Sequence, residues 1–416
     1  ASGRGRNTGK MYSSVTPETP AQKPASLIRQ TGAGYFPIAL IARLPFAMMV
    51  VGVLTLVVAA RDSIALGGAT SALTGLGTAL IGPLLGAAAD KFGQRPVLLI
   101  AGLVNSGLLA LMAWLAFSPA PNSTLLVIAF LIGASTPQVA PLSRSRLVGI
   151  ITRVYPRPRA AKVLNGTMAY ESAADEMAFV FGPVVVGVLA TTLSPTAPVI
   201  GAAVLAVVFV TAFALHPTAK AAPTGDEVPV APAPVRDLFR FGVLVTVIGT
   251  FGMGLFFGTA LTALTAFMGE RGAPEQAGLV YGAMGLGSAI LALSVALFPA
   301  RFTLTARWIT FGVILTVGAA TLPFVTSVPA MVLALLVIGT GIGPALVTMY
   351  TLAAGRSPRA RSSTVMTMMG SGVIVGQSGA SALVGALAEV SGAGAALWTP
   401  LVAAGIVLGA GVANGL

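Results

Sequence analysis

The sequence contains no cysteine, one histidine (His216) and only twelve acidic side chains among 416 residues. Without thiols there is no disulfide framework, no thiolate metal site and no cysteine nucleophile. His216 stands beside Pro217 at the end of an apolar run, where it reads as an interfacial residue rather than a proton carrier. One histidine so placed cannot complete a Ser/His/Asp constellation. No Gly-x4-Gly-Lys-[Ser/Thr] loop occurs, which argues against ATP hydrolysis. The chain therefore reads as no enzyme, with no cofactor and no metal, and any proton chemistry must rest on carboxylates.

Charge of either sign is scarce. Charged residues make up 9% of the chain, against about a quarter in an ordinary soluble domain. Hydrophobic residues make up 56%, and the mean hydropathy is +0.91. Continuous apolar runs, each long enough to cross about 30 Å of hydrocarbon as a helix, recur along the sequence. They do not alternate, which argues against a β-barrel. The expected class is an all-α integral membrane protein whose principal partner is the lipid bilayer.

The net charge of +12 does not point to nucleic acid, because the basic residues gather at alternate connections, as the positive-inside rule requires. They occupy the tail (Arg4 to Arg29), Lys91 and Arg95, the run from Arg144 to Lys162, Lys220 to Arg240, Arg301 and Arg307, and Arg356 to Arg361. The intervening connections carry only Arg61 and Arg271. Residues 1–30 are polar and basic and read as a disordered tail. The first apolar run lacks a small-residue cleavage site and reads as a retained helix.

Twelve spans are predicted, at roughly 35–59, 64–88, 97–118, 124–146, 165–190, 196–216, 239–268, 276–299, 308–327, 329–354, 363–388 and 394–414. The Pro-rich connection 217–238 divides them into two groups of six, 31–216 and 239–416. An even number of spans puts both termini on one face, which the charge bias makes cytoplasmic. The halves repeat at an offset of 210. Gly75-Leu76-Gly77-Thr78-Ala79 matches Gly285-Leu286-Gly287-Ser288-Ala289, and Lys91-Phe92 falls on Arg301-Phe302. Parallel repeats about the membrane normal are a transporter architecture.

Between spans two and three runs Gly86-Ala87-Ala88-Ala89-Asp90-Lys91-Phe92-Gly93-Gln94-Arg95. Gly86 and Gly93 permit close approach and a tight turn. Asp90 suits the positive N-terminal end of a neighbouring helix. A plain orientation turn is the simpler reading. Span five carries Gly182-Pro183, with Gly187 beyond it.

With these motifs the chain resembles the major facilitator superfamily, and within it the bacterial twelve-helix drug:proton antiporters. Gly86, Asp90, Lys91, Gly93 and Arg95 match the family's turn after helix two, and Gln94 departs from it. Gly182, Pro183 and Gly187 are a partial copy of the antiporters' helix-five motif. The resemblance implies a conformational latch at the turn, with Asp90 at the helix that begins near Ser363. It also implies a second basic–acidic pair to helix four, but no acid occurs between Lys91 and Tyr170.

Span five holds Glu171, Asp175 and Glu176. Each acid costs about 2.5–3.5 kcal/mol if charged at the membrane centre, so each must pair, face a cavity or take up a proton. Glu171 and Asp175 are four apart and share a helix face, while Glu176 is turned about 100° away. Arg43 in span one lies roughly 12 Å in from its end, and Glu171 and Asp175 roughly 9 and 15 Å in from theirs. Helices one and five are neighbours in the resembled fold, so an Arg43–Glu171/Asp175 cluster beside a central cavity is expected. Three acids against one arginine leave an excess of carboxylate, which makes Asp175 the preferred proton carrier, with Glu176 the alternative. A fixed ion-pair network that orients helices is the competing reading.

Helices one, four, seven and ten line the cavity in the resembled fold. Arg43, Gln138, Phe256, Phe257, Tyr350 and, from span eleven, Gln377 are then the substrate-binding candidates, with a kink at Thr136-Pro137-Gln138. So apolar a lining suits amphipathic molecules. The expected function is proton-coupled export of small molecules by a monomer in the cell membrane, working by alternating access. An importer or facilitator of one metabolite, and a lipid translocase, are the alternatives.

Overall fold

The computed structural model describes residues 26–221, 232–272, 276–299 and 301–415, and every regular element among them is a helix. Most of the expected tail, and residues 222–231 of the expected linker, lie outside the described residues.

Among the described residues, eleven helices are long and apolar enough to cross a membrane. They are α1 (Tyr35–Arg61), α2 (Leu66–Phe92), α3 (Gln94–Ala116), α4 (Asn122–Val154), α5 (Arg159–Thr192), α6 (Ala197–Leu215), α7 (Phe241–Gly269), α8 (Ala277–Leu297), α9 (Leu304–Phe324), α10 (Val328–Arg356) and α11 (Ser362–Ala396). The last apolar segment, α12 (Thr399–Ala413), has 15 residues and is shorter than the predicted span. The chain bends at Gly392 (φ 77°), and Glu270 Oε1 accepts the Ala393 amide there at 3.0 Å, capping the turn ahead of α12.

Two helices are interrupted where the sequence carries proline. α1 breaks between Ile41 and Leu44, just before Pro45, and Arg43 sits at the break. α4 breaks over 135–138 at Pro137, where the kink was expected, and Gln138 Nε2 donates to the freed Thr136 carbonyl at 3.1 Å. A proline has no N–H to give and crowds the preceding turn, so the helix reopens there.

The packing repeats. Within the first half α1 pairs with α5, α2 with α4, and α3 with α6. Within the second half α7 pairs with α11, α8 with α10, and α9 with α12. The halves meet through α2 against α11 and, symmetrically, α8 against α5.

The 210-residue offset has a physical cause. A Cβ on Gly77 would lie 2.2 Å from the Phe130 carbonyl of α4, and one on Gly287 would lie 2.3 Å from the Leu336 carbonyl of α10. Both glycines mark the same close helix crossing. Arg61 donates to the carbonyls of Leu115, Ser118 and Ala120, and Arg271, 210 residues on, donates to that of Thr326 at 2.8 Å. Each arginine ties its own helix end to the connection two helices further on.

Candidate functional site

The buried charges converge between α1, α4 and α5. Arg43, 4% exposed, pairs through Nη2 with Glu171 Oε2 and donates from Nη1 to the Glu171 carbonyl at 3.1 Å. Its Nη1 also lies 3.2 Å from Asp175 Oδ1. The other Asp175 oxygen accepts from Arg144 Nη2 at 2.6 Å. Asp175 thus bridges two guanidinium groups. Glu171 is wholly enclosed and also accepts from Ser143 Oγ at 3.0 Å; that hydroxyl is bonded to the Tyr35 hydroxyl at 2.8 Å. Asp175 is 22% exposed, against none for Glu171.

The break in α1 explains how Arg43 arrives there. Its side chain leaves from an opened turn and spans to α5, where residues four apart present one face. Depth in the helices brought these three residues together as expected. The side chain of Glu176 lies outside the described residues.

Arg144 and Arg146 correct the sequence reading, which assigned them to a basic connection. α4 continues to Val154, so Arg144 lies ten residues, about 15 Å, inside its end. The apolar stretch Leu147 to Ile151 that follows was the signal that the helix runs on. Two residues along a helix is a turn of about 200°, so the two arginines point opposite ways. Arg144 faces α5 and α10. Arg146 faces α3 and α6, donating to Gln94 Oε1 at 3.0 Å and the Phe213 carbonyl at 2.9 Å. With Arg144 counted, two arginines meet Glu171 and Asp175, and the expected excess of carboxylate among the described side chains is not there.

The same correction explains Gln94, the departure from the motif. It is buried, donating to the Leu142 carbonyl and to Ser145 Oγ while accepting from Arg146. A neutral amide facing an arginine on α4 stands where a basic residue facing an acid was expected.

Asp90 meets the start of α11. Its Oδ1 accepts the Ser363 amide at 3.0 Å, and its Oδ2 accepts the Thr364 amide at 2.8 Å and the Thr364 hydroxyl at 2.6 Å. These bonds join the two halves at the helix ends that carry the Gly93 turn. Gly93 has φ 90°, which a side chain would strain. A Cβ on Gly86 would lie 2.1 Å from Thr367 Oγ1, so α2 and α11 touch there only without one. Lys91 and Arg95 are exposed.

The same end is closed by further contacts between halves. The Arg144 guanidinium lies 3.9 Å from the centre of the Tyr350 ring on α10, Ser145 Oγ is 2.9 Å from Ser363 Oγ, and Thr351 reaches Asn165 at 3.5 Å.

The substrate-binding candidates divide. Arg43 and Tyr350 belong to the charged network and its seal. Gln138 is buried beside Gly82 of α2. Phe256 is fully buried in the apolar core of the second half, and Phe257 packs against that core, so Phe256 lines no cavity. Gln377 is half-buried, with its backbone against Gly258 of α7. Gly182 lets α5 meet Ala47 of α1, where a Cβ would come within 2.5 Å, while Gly187 faces open space. The side chain of Pro183 lies outside the described residues.

Comparison with known proteins follows the same lines. Solved structures with this arrangement include the human organic anion transporter MFSD10 (TETRAN), 17% identical, with 94% of this chain and 100% of that one aligned and a TM-score of 0.73. A bacterial homologue of the iron transporter ferroportin, outward-facing with soaked iron, is 13% identical over 92% and 98% of the two chains, with a TM-score of 0.71. The transporter FucP in its outward conformation is 14% identical over 91% and 98%, with a TM-score of 0.60. No curated protein sequence matches the chain. Residues 35–381 match the model of the Major Facilitator Superfamily. The chain belongs to that superfamily, as a multi-pass membrane transporter.

Proposed function

We propose that this chain is a proton-coupled antiporter of the drug:proton kind, exporting small amphipathic organic molecules by alternating access. In this reading twelve spans form two bundles, 31–216 and 239–416, joined by the segment 217–238, in the cell membrane with both termini in the cytoplasm. Orientation is supported by charge. Lys91, Arg95, Arg153, Arg359 and Arg361 lie at the end sealed by Asp90, while Arg61 and Arg271 lie at the other and are tied to loop carbonyls. The described state is then closed to the cytoplasm.

The observation that carries the reading is the double pairing of Asp175. Its carboxylate holds Arg144 in place, and Arg144 rests on Tyr350 of the other half. A proton arriving at Asp175 removes the charge that holds Arg144. The seal then loosens, the halves rock, and the proton leaves to the cytoplasm as substrate enters. Glu171 stays paired with Arg43 throughout and keeps α1 on α5. The sparse polar candidates, Gln138 and Gln377 among them, suit a substrate with a large apolar part.

One observation favours a second reading. Two arginines neutralise Glu171 and Asp175, as a purely structural network would require, and the chain would then be a facilitator of one metabolite. Proteoliposomes loaded with a panel of amphipathic dyes and given an imposed pH gradient separate the two. The antiporter reading expects gradient-driven transport to stop in Asp175→Asn while exchange without a gradient continues. Gradient-driven transport that survives Asp175→Asn, Glu171→Gln and Glu176→Gln would overturn it.

A further inference from the structure

We propose that the cleft between the end of α4 and the α10–α11 connection binds a phosphoryl group, and that the bound group holds the two halves together. This site is separate from the charged network and does not depend on the transport reading.

The cleft has a volume of about 210 Å³, room for about seven waters at about 30 Å³ each. Its walls come from both halves. Ser145, Thr152 and Arg153 line it from α4, and Ser357, Arg359 and Ser362 from the other side. Among the described residues no carboxylate lines it. Asp90, at the neighbouring start of α11, has both oxygens committed to Ser363 and Thr364. Arg153 and Arg359 therefore line one space from opposite halves, with no carboxylate beside them among the described residues. Like charges brought together by closure disfavour closure unless an anion lies between them.

A second observation points the same way. Ser362 Oγ is shielded from solvent and has no hydrogen-bond partner. A shielded hydroxyl without a partner is uncommon and marks a place where a further acceptor or donor belongs. Ser362 is also the first residue of α11, so the positive end of that helix opens at the cleft.

The wall is built, not improvised by free loops. Arg359 accepts the Ala233 amide through its carbonyl at 3.1 Å, and Arg361 Nε donates back to the Ala233 carbonyl at 3.0 Å. Ser145, which lines the cleft, bonds Ser363 across the halves, so the cleft takes this form only when this end is closed.

A phosphoryl group suits this donor set better than a carboxylate. It carries close to two charges and three or more acceptor oxygens, enough for two guanidinium groups and the serine hydroxyls together. It could arrive as a lipid headgroup, since the cleft lies where helices leave the membrane, or as a free phosphate.

The test uses the full chain purified in detergent, with its thermal midpoint read in inorganic phosphate against chloride at equal ionic strength. A second arm compares nanodiscs with and without phosphatidic acid. A rise in Tm of about 2 °C or more in either arm is expected, because a ligand that binds only the folded, closed form stabilises it. A rise with inorganic phosphate identifies a soluble ligand, and a rise with phosphatidic acid alone identifies a lipid. Arg153→Gln and Arg359→Gln should each abolish most of the rise, with Tm in chloride unchanged or raised as the repulsion is relieved, and Ser362→Ala should reduce it. No rise in either arm, or a rise that persists in both arginine variants, would overturn the proposal.

Discussion

Arg144 and Tyr350 come from different halves of the molecule, and the guanidinium of one lies 3.9 Å from the ring centre of the other. The same guanidinium is bound to Asp175. One side chain thus joins a carboxylate in the first half to an aromatic ring in the second.

Tyr350→Leu keeps an apolar side chain and removes the ring face. A desolvated cation–π contact contributes about 2 kcal/mol, so closure at this end should weaken by up to about thirtyfold. Because the chain has no cysteine, a single Asn165→Cys reports it directly. Alkylation at that position should be faster in the Tyr350→Leu background, and an unchanged rate would remove Tyr350 from the seal.

Glu171→Gln leaves Arg43 short of its fully buried partner. Breaking a buried pair by removing one charge costs about 3–5 kcal/mol, because the other is left uncompensated. The variant should unfold at a clearly lower temperature in detergent. Adding Arg43→Gln should recover part of the loss, since both charges are then gone. Simple additivity of the two losses would show that the pair does not act as one.

Asp90→Ala removes three hydrogen bonds at the start of α11 and the anion at its positive end. Loss of such a cap costs about 1–2 kcal/mol, here charged to the contact between halves. Gly86→Val should be worse, because its Cβ would overlap Thr367. Distances between spin labels across this end should broaden in both variants, more in the second. Unchanged distributions would mean that the turn only sets orientation.

His216 gives a pH dependence with a definite sign. Burial, and secondarily the positive charge of Arg146, hold its pKa below the ordinary value of 6.5. Its Nδ1 is 2.9 Å from Thr218 Oγ1, and its ring stands edge-on to Tyr35. The folded state thus prefers the neutral ring, while the unfolded chain takes up a proton near pH 6.5. The stability that depends on His216 is full above that value and falls as pH drops through it, levelling only below the folded pKa. His216→Gln should flatten this part of the Tm-against-pH curve between pH 7.5 and 5.5, and an unchanged slope would contradict the assignment.

What the sequence could and could not tell follows from what each signal measures. Helix rise is fixed, so distance from a helix end could bring Arg43 level with Glu171 and Asp175 without coordinates. Asp90 could be aimed at Ser363 only through the resemblance of its turn to that of the superfamily; the turn by itself names no partner. Arg144 and Arg146 were misplaced because an arginine near the end of an apolar run reads as a boundary, and only the continued helix shows otherwise. Phe256 was misread for a different reason. A helix that is apolar all round carries no signal of which face meets a cavity and which a core. The break after α11 was legible, since the expected gap 389–393 begins at Glu389 and holds Gly392, where the chain bends.

The central claim is that the charge on Asp175 controls the seal made by Arg144. It can be measured without knowing the substrate. Spin labels at Lys162→Cys and Arg301→Cys, exposed residues of the two halves at the sealed end, report its opening. In the parent protein, lowering the pH should lengthen the distance between them, and in Asp175→Asn the longer distance should dominate at every pH. A short distance in Asp175→Asn that still lengthens on acidification would contradict the account.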